Sequence, residues 1–130
     1  MRRLLLLAGA ALSACASVPP AGGPLVGEFG GQHVGLTLGA DGGTLDYDCA
    51  AGVIGPVVVH SGGRFEAEGR HTPGTGGPER VGEVRPSYRA RYQGTVRGDR
   101  MVLQARVENG VLLGPFTLVR GAEPMLLRCL

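Results

Sequence analysis

Short runs in which polar and apolar residues alternate, separated by glycine-rich turns, fill the sequence after residue 24. In one run, Tyr88, Ala90 and Tyr92 alternate with Arg89 and Arg91. A period of two sends successive side chains to opposite faces of a β-strand. No stretch of this region has a helical period, so the sequence predicts an all-β domain.

The turn signals divide this region into eight predicted strands. They cover residues 25–38, 44–50, 53–60, 64–71, 87–97, 100–108, 111–120 and 124–130. Asn109-Gly110 is the strongest hairpin signal, and it predicts a type I′ turn with positive φ at both positions. Eight short strands joined mostly by tight turns favour a small antiparallel up-and-down barrel, which has no exposed sheet edge. A β-sandwich is the alternative.

The amino-terminal residues have a different composition. Met1-Arg2-Arg3 is followed by the apolar run from Leu4 to Leu12, and small residues then lead to Cys15. A basic start, a short apolar run and a small-residue site are typical of a secretory signal. The run is shorter than the roughly 20 residues that span a bilayer. Leu12-Ser13-Ala14-Cys15 resembles the lipobox of bacterial lipoproteins. This resemblance implies cleavage before Cys15 and a lipid anchor on that cysteine, with palmitate among its acyl chains.

Three regions follow from this interpretation. Residues 1–14 are a lipoprotein signal peptide, residues 15–24 are the lipidated cysteine with a tether rich in proline and glycine, and residues 25–130 are the barrel domain. By the same resemblance, Ala16 after the modified cysteine implies an outer-membrane protein facing the periplasm. The alternative is an ordinary secretory signal that contains a cysteine.

Charge argues against a nucleic-acid partner. The chain has 13 basic and 11 acidic residues, and Arg2 and Arg3 leave with the signal, so 11 of each remain. A formally neutral mature chain has no strong basic field to steer a polyanion. We therefore expect a membrane contact through the lipid and an unknown protein or small-molecule partner, but no nucleic acid.

Two cysteines remain if Cys15 carries lipid. Exported proteins meet an oxidising environment, so Cys49 and Cys129 are predicted to form a disulfide bond. Alternation places both inside the barrel, with Tyr47 and Leu127 as neighbours on the same face. The bridge would close a loop of about 80 residues. Two buried free thiols are the alternative.

No catalytic or metal-binding pattern is present in the sequence. Zinc sites use closely spaced ligand pairs, whereas the histidines here are scattered. Ser61 lies in a turn with no sign of a strained nucleophile position. The ionisable candidates are His33, Asp46, Asp48, His60 and His71. We therefore predict no enzyme activity, no metal and no cofactor.

The middle of the chain is rich in arginine. These arginines form either a solvated strand face or a surface that binds carboxylates or phosphates, such as lipid headgroups or an acidic partner. They are Arg70, Arg80, Arg85, Arg89, Arg91, Arg97, Arg100 and Arg106.

Residues 72–86 form a long connection without a strand pattern, and such loops are commonly functional. Its charged residues are Glu79, Arg80, Glu83 and Arg85. Arg80 and Arg85 are the candidate polar anchors of a binding loop, because a guanidinium can pair with a carboxylate through two hydrogen bonds.

Two further resemblances concern the domain. Five segments of the domain together resemble a group of small uncharacterised bacterial proteins, which implies no activity. They are Gly30-Gly31-Gln32-His33, residues 48–52, Gly76-Gly77-Pro78, residues 92–96 and Cys129-Leu130. The strand order is similar to calycin-like barrels, including small periplasmic protease inhibitors. Phe29 stands where the lipocalin Gly-x-Trp motif has tryptophan, so this likeness concerns architecture alone. The expected function is a non-enzymatic binding module, with a hydrolase or protease inhibitor as the alternative.

The lipid anchor is tested by Cys15→Ser. We expect this variant to incorporate no radiolabelled palmitate and to remain an uncleaved precursor or a soluble form, because the acceptor sulfur is gone. Cys49→Ser, which leaves the lipobox intact, should label like the wild type. Equal labelling of Cys15→Ser and wild type would contradict the lipoprotein interpretation.

Overall fold

A computed structural model of the chain describes residues 22–74, 81–82, 84–127 and 129. The predicted signal peptide, Cys15 and most of the predicted tether lie outside these residues. Within these ranges, no helix has both the length and the apolar character that crossing a bilayer requires.

Eight antiparallel strands form one closed ring in chain order. They are β1 (Gly27–Gly31), β2 (Val34–Gly39), β3 (Gly42–Tyr47), β4 (Ala50–Ile54), β5 (Arg64–Pro73), β6 (Tyr88–Arg97), β7 (Arg100–Val107) and β8 (Leu112–Arg120). Each strand pairs with the next, and β8 pairs with β1. The predicted all-β, eight-stranded up-and-down barrel is confirmed, and the sandwich alternative is wrong.

The first and last predicted strands are wrong, although the total of eight is right. Residues 25–38 include β1 and all of β2 except Gly39, and a tight turn where His33 has a φ of 69° joins the two strands. The buried positions change from odd-numbered Phe29 to even-numbered Val34 across this turn. Residues 124–130 form no strand among those described, and Met125 makes only an isolated bridge to Gln32.

Two other local predictions need correction. The strand predicted at residues 53–60 is β4, which ends at Ile54, and the chain then buries Val57 and Val59 without a ladder. At the Asn109-Gly110 turn, Gly110 has a φ of 91° but Asn109 has no positive φ. The backbone N–H of residue 107 donates to the carbonyl of Val111 at 2.9 Å, so a three-residue loop with glycine in the left-handed position replaces the type I′ turn.

Apolar side chains from every strand fill the barrel. Tyr47, Tyr92 and Leu103 are all buried and belong to one continuous core cluster. The inward positions of β7 are occupied by Met101, Leu103, Ala105 and Val107, as alternation predicts. The interior is therefore a packed core rather than an open ligand cavity of lipocalin type.

Four connections lie at one end of the barrel, which we call the loop end. They are residues 32–33, 48–49 and 108–111, and the connection between β5 and β6, which leaves the sheet at Pro73 and returns to it at Tyr88. The opposite end is closed by the chain that enters β1, where the Leu25 N–H donates to the Val57 carbonyl at 2.7 Å.

After β8 the chain turns back along the outside of the barrel toward the loop end. We call this segment, residues 121–127 with Cys129, the strap. The Met125 N–H donates to the Gly31 carbonyl at 3.0 Å, and the His33 N–H donates to the Met125 carbonyl at 2.8 Å. Room for the strap comes from missing side chains, since a Cβ at Gly35 would lie 2.5 Å from Cγ of Pro124.

A disulfide between Cys49 and Cys129 fastens the strap to the β3–β4 turn, with Cα atoms 5.2 Å apart. Both cysteines are exposed, so their predicted inward orientation is wrong. The strand alternation stops at Tyr47, and Cys49 occupies a left-handed turn position with a φ of 61°. Leu127, also predicted to point inward, is 65% exposed. The bridge therefore lies outside the barrel.

Removal of the bridge should destabilise the domain. We expect the wild-type domain to show no reactive thiol when it is denatured without reductant, and Cys49→Ala to lower the free energy of unfolding by about 2–5 kcal/mol. Cys129→Ala should cost the same, and the double variant should cost no more, because both substitutions remove one cross-link. Two thiols that react before reduction would contradict the bridge.

Candidate functional site

Most of the predicted loop anchors lie outside the described residues. This holds for Glu79, Arg80 and Glu83, and also for the lipidation site Cys15. The fourth loop residue, Arg85, is half-buried. The connection is displaced from the predicted residues 72–86 to residues 74–87, because β5 continues through Thr72 and Pro73 and β6 begins at Tyr88.

The described part of this connection carries apolar side chains in solvent. Val81 is fully exposed, and Val84 is 91% exposed. At the base of the connection, a Cβ at Gly74 would collide with the Cys49 carbonyl oxygen, so the chain there packs directly against the disulfide-bonded turn. The loop end thus presents exposed valines on a tightly held base.

Only two of the scattered ionisable candidates meet. His33 Nδ1 is hydrogen-bonded to Asp48 Oδ2, and the other oxygen of Asp48 accepts the Leu127 N–H at 2.6 Å. Asp46 and His60 are exposed, and within the described residues neither side chain forms a hydrogen bond or ion pair with this pair. The interactions of Asp48 hold the strap against the two neighbouring turns, which is a structural role.

The described part of the chain contains no assembled metal site and no assembled nucleophile site. No group of three or more His, Cys, Asp or Glu side chains there is placed to hold a metal ion. Ser61 is exposed in the turn before β5, where the Gly63 N–H donates to the His60 carbonyl at 3.0 Å.

A small group of polar rings is buried inside the barrel. His71 packs edge-on against Tyr47 with ring centroids 5.5 Å apart. Tyr92 donates its hydroxyl to the Arg70 carbonyl at 3.1 Å, and burial raises the pKa of Tyr92 to about 12. Within the described residues, neither His71 Nδ1 nor the Tyr47 hydroxyl has a hydrogen-bond partner. Burial lowers the pKa of His71 below its ordinary value of 6.5 and raises the pKa of Tyr47.

The arginines of the middle strands converge on the outer face of the barrel. Arg70 of β5 lies directly opposite Arg89 of β6, and Arg91 of β6 lies directly opposite Arg106 of β7. All four side chains are exposed. The strand register therefore places two opposed pairs of arginines, drawn from three strands, near the loop end.

These arginines differ in how they are held. Arg70 donates from Nε to the Ser87 hydroxyl at 2.8 Å and from Nη2 to the Ser87 carbonyl at 3.0 Å. Arg91 lies 3.5 Å from a carboxylate oxygen of Glu68. The side chains of Arg89 and Arg106 make no hydrogen bond or ion pair within the described residues. Arg70 and Arg91, which have side-chain partners, thus share one surface with Arg89 and Arg106, whose side chains have none among the described residues.

The four arginines line an open groove of about 1010 Å³. Glu68 and Glu108 also line it, as does the side chain of Leu112, which is 67% exposed. We call this surface, Arg70, Arg89, Arg91 and Arg106 with these three neighbours, the arginine groove. Alternation alone placed Arg89 and Arg91 on the outer face, but the opposing partners depend on register between strands that the sequence does not specify.

No protein-family model, no curated protein and no solved structure matches this chain.

The buried His71 gives the domain a defined pH dependence. Its folded pKa is lowered, so the unfolded chain binds the proton more readily, and the free energy of unfolding falls as pH drops below about 6.5. His71→Phe keeps an aromatic ring beside Tyr47 and should lose less stability than the wild type between about pH 7.5 and about pH 5 in urea unfolding. His60→Gln, at an exposed turn, should keep the wild-type dependence. An unchanged dependence in His71→Phe would contradict the assignment.

Proposed function

We propose that the chain is a lipid-anchored lipoprotein of the bacterial cell envelope whose barrel is a non-enzymatic binding module. The anchor is Cys15, and the destination is the periplasmic face of the outer membrane. The lipobox resemblance supports the anchor, and Ala16 supports the destination. Cleavage and lipidation would leave the barrel on a tether that begins at residue 16.

The two exposed valines of the long connection carry the binding proposal. Val81 and Val84 stand in water at the loop end, whereas the barrel interior is filled by its own core. A ligand therefore has to be met on the outside of the barrel. Exposed apolar side chains on a loop that leaves a rigid scaffold suit contact with a protein partner.

Inhibition of an envelope hydrolase or protease is the second candidate. The base of the connection, where Gly74 packs against the Cys49 carbonyl, favours it. An inhibitory loop binds best when it is held in one conformation, because less conformational freedom is lost on binding.

The binding proposal is tested with Val81→Ser/Val84→Ser. We expect this variant to fold like the wild type and to lose partner affinity about tenfold or more, because two apolar contacts no longer leave water. Val53→Ser, at an exposed valine of β4, is the matched control and should keep full affinity. Partners would be captured from envelope extract and compared quantitatively among the three proteins.

A second variant separates the loop from the barrel wall. Replacement of residues 74–84 by a short Gly-Ser turn should abolish capture and leave the thermal transition in place. Recovery of the same partners by the shortened protein would show that the connection is a spacer. Tight, stoichiometric inhibition of a captured hydrolase by the wild type, and its loss in the shortened protein, would favour the inhibitor candidate.

A further inference from the structure

The arginine groove places like charges against each other in a way that the barrel does not need. Arg70 faces Arg89 across one ladder, and Arg91 faces Arg106 across the next. Directly opposed like charges destabilise a sheet. Glu68 relieves Arg91, but Arg89 and Arg106 have no ion-pair partner in the described part of the chain.

An anion with two charges and several oxygens would relieve this repulsion. A guanidinium offers a planar fork of donors, and a phosphate presents oxygens to more than one fork at the same time. A single carboxylate has two oxygens and is already matched by one arginine. The two opposed pairs therefore suit a phosphate better than the isolated carboxylates of an acidic peptide.

Part of the groove is already arranged to receive such a group. Two hydrogen bonds from Arg70 to Ser87, at 2.8 Å and 3.0 Å, hold its guanidinium beside Arg89. Neither bond uses a carboxylate. A cation held in place by neutral groups keeps its charge available. Less side-chain freedom is then lost when an anion binds.

We propose that the arginine groove is a binding site for a terminal phosphate (a phosphomonoester) on an anionic lipid headgroup, which carries up to two charges and three free oxygens. Its apolar wall favours a lipid over a free phosphate, since the exposed side chain of Leu112 adjoins the guanidiniums and Val111 beside it is 45% exposed. Arginine with neighbouring apolar side chains matches the boundary between headgroups and acyl chains. The inference rests on the proposed function, because an anchored domain remains within reach of such headgroups.

The test uses the mature chain from residue 15 with Cys15→Ser, so that no attached lipid contributes to binding. Its affinity would be measured for vesicles of phosphatidic acid with phosphatidylcholine, for phosphatidylcholine alone, and for inorganic phosphate. Arg89→Gln/Arg106→Gln removes the unpartnered guanidiniums. Arg64→Gln/Arg97→Gln removes the same charge from exposed positions on β5 and β6 far from the loop end, and is the matched control.

We expect binding to the phosphatidic acid vesicles, a loss of about tenfold or more in Arg89→Gln/Arg106→Gln, and a change within about twofold in the control. Leu112→Ser should weaken vesicle binding and leave phosphate binding unchanged. An equal loss in both double-arginine variants would overturn the site, because net charge alone would then explain the attraction.

Two further outcomes are decisive. Binding of inorganic phosphate without vesicle binding would overturn the lipid assignment and leave a phosphate site. Competition by a polyglutamate peptide as strong as that by phosphate would overturn the phosphate assignment. Failure of the loop-mediated function is a separate result, since Val81→Ser/Val84→Ser leaves the arginine groove unchanged and should bind these vesicles normally.

Discussion

Closure of the barrel depends on the short ladder between β1 and β8. Two registered pairs join these strands, Phe29 with Arg120 and Gly30 with Val119, whereas five join β1 to β2. Side-chain contacts reinforce the seam, because the Arg120 guanidinium lies 4.7 Å from the centroid of the Phe29 ring and donates to the Val26 carbonyl at 2.8 Å. The packed interior, and the outer face that carries the arginines, both require this seam to stay closed.

The strap reinforces the short seam between β1 and β8. It crosses the outer face of β1 and β2, where Gly30 and Gly35 leave space for backbone and proline, and the disulfide then fixes it to the next turn. The long covalent loop between Cys49 and Cys129 restricts the unfolded chain as well as the folded one. Glycine in a strand usually weakens it, but here it permits the close approach that secures the ring.

Much of this fold was predictable, and the failures have physical causes. Alternation identified the inward side chains of β6 and β7, because a period of two is a local property. It misplaced Cys49, because the sequence of β3 gives no sign that the strand ends at Tyr47 and turns. The strap could not be predicted from residues 124–130, since its apolar residues resemble a strand and its partners lie on the outside of β1. The same limit applies to the arginines, whose outward orientation is local whereas their pairing depends on register.

The position of the strap also determines when the ring can close. A ribosome delivers the chain from its amino end, so β8 and the strap follow the other seven strands. Until they arrive, β1 has only one neighbour and the covalent fastening of the seam is absent. The ring therefore cannot close while the carboxyl-terminal part of the chain is still being synthesised. Pairing of β8 with β1 is thus a late step of assembly, and the disulfide can fasten the strap only after it.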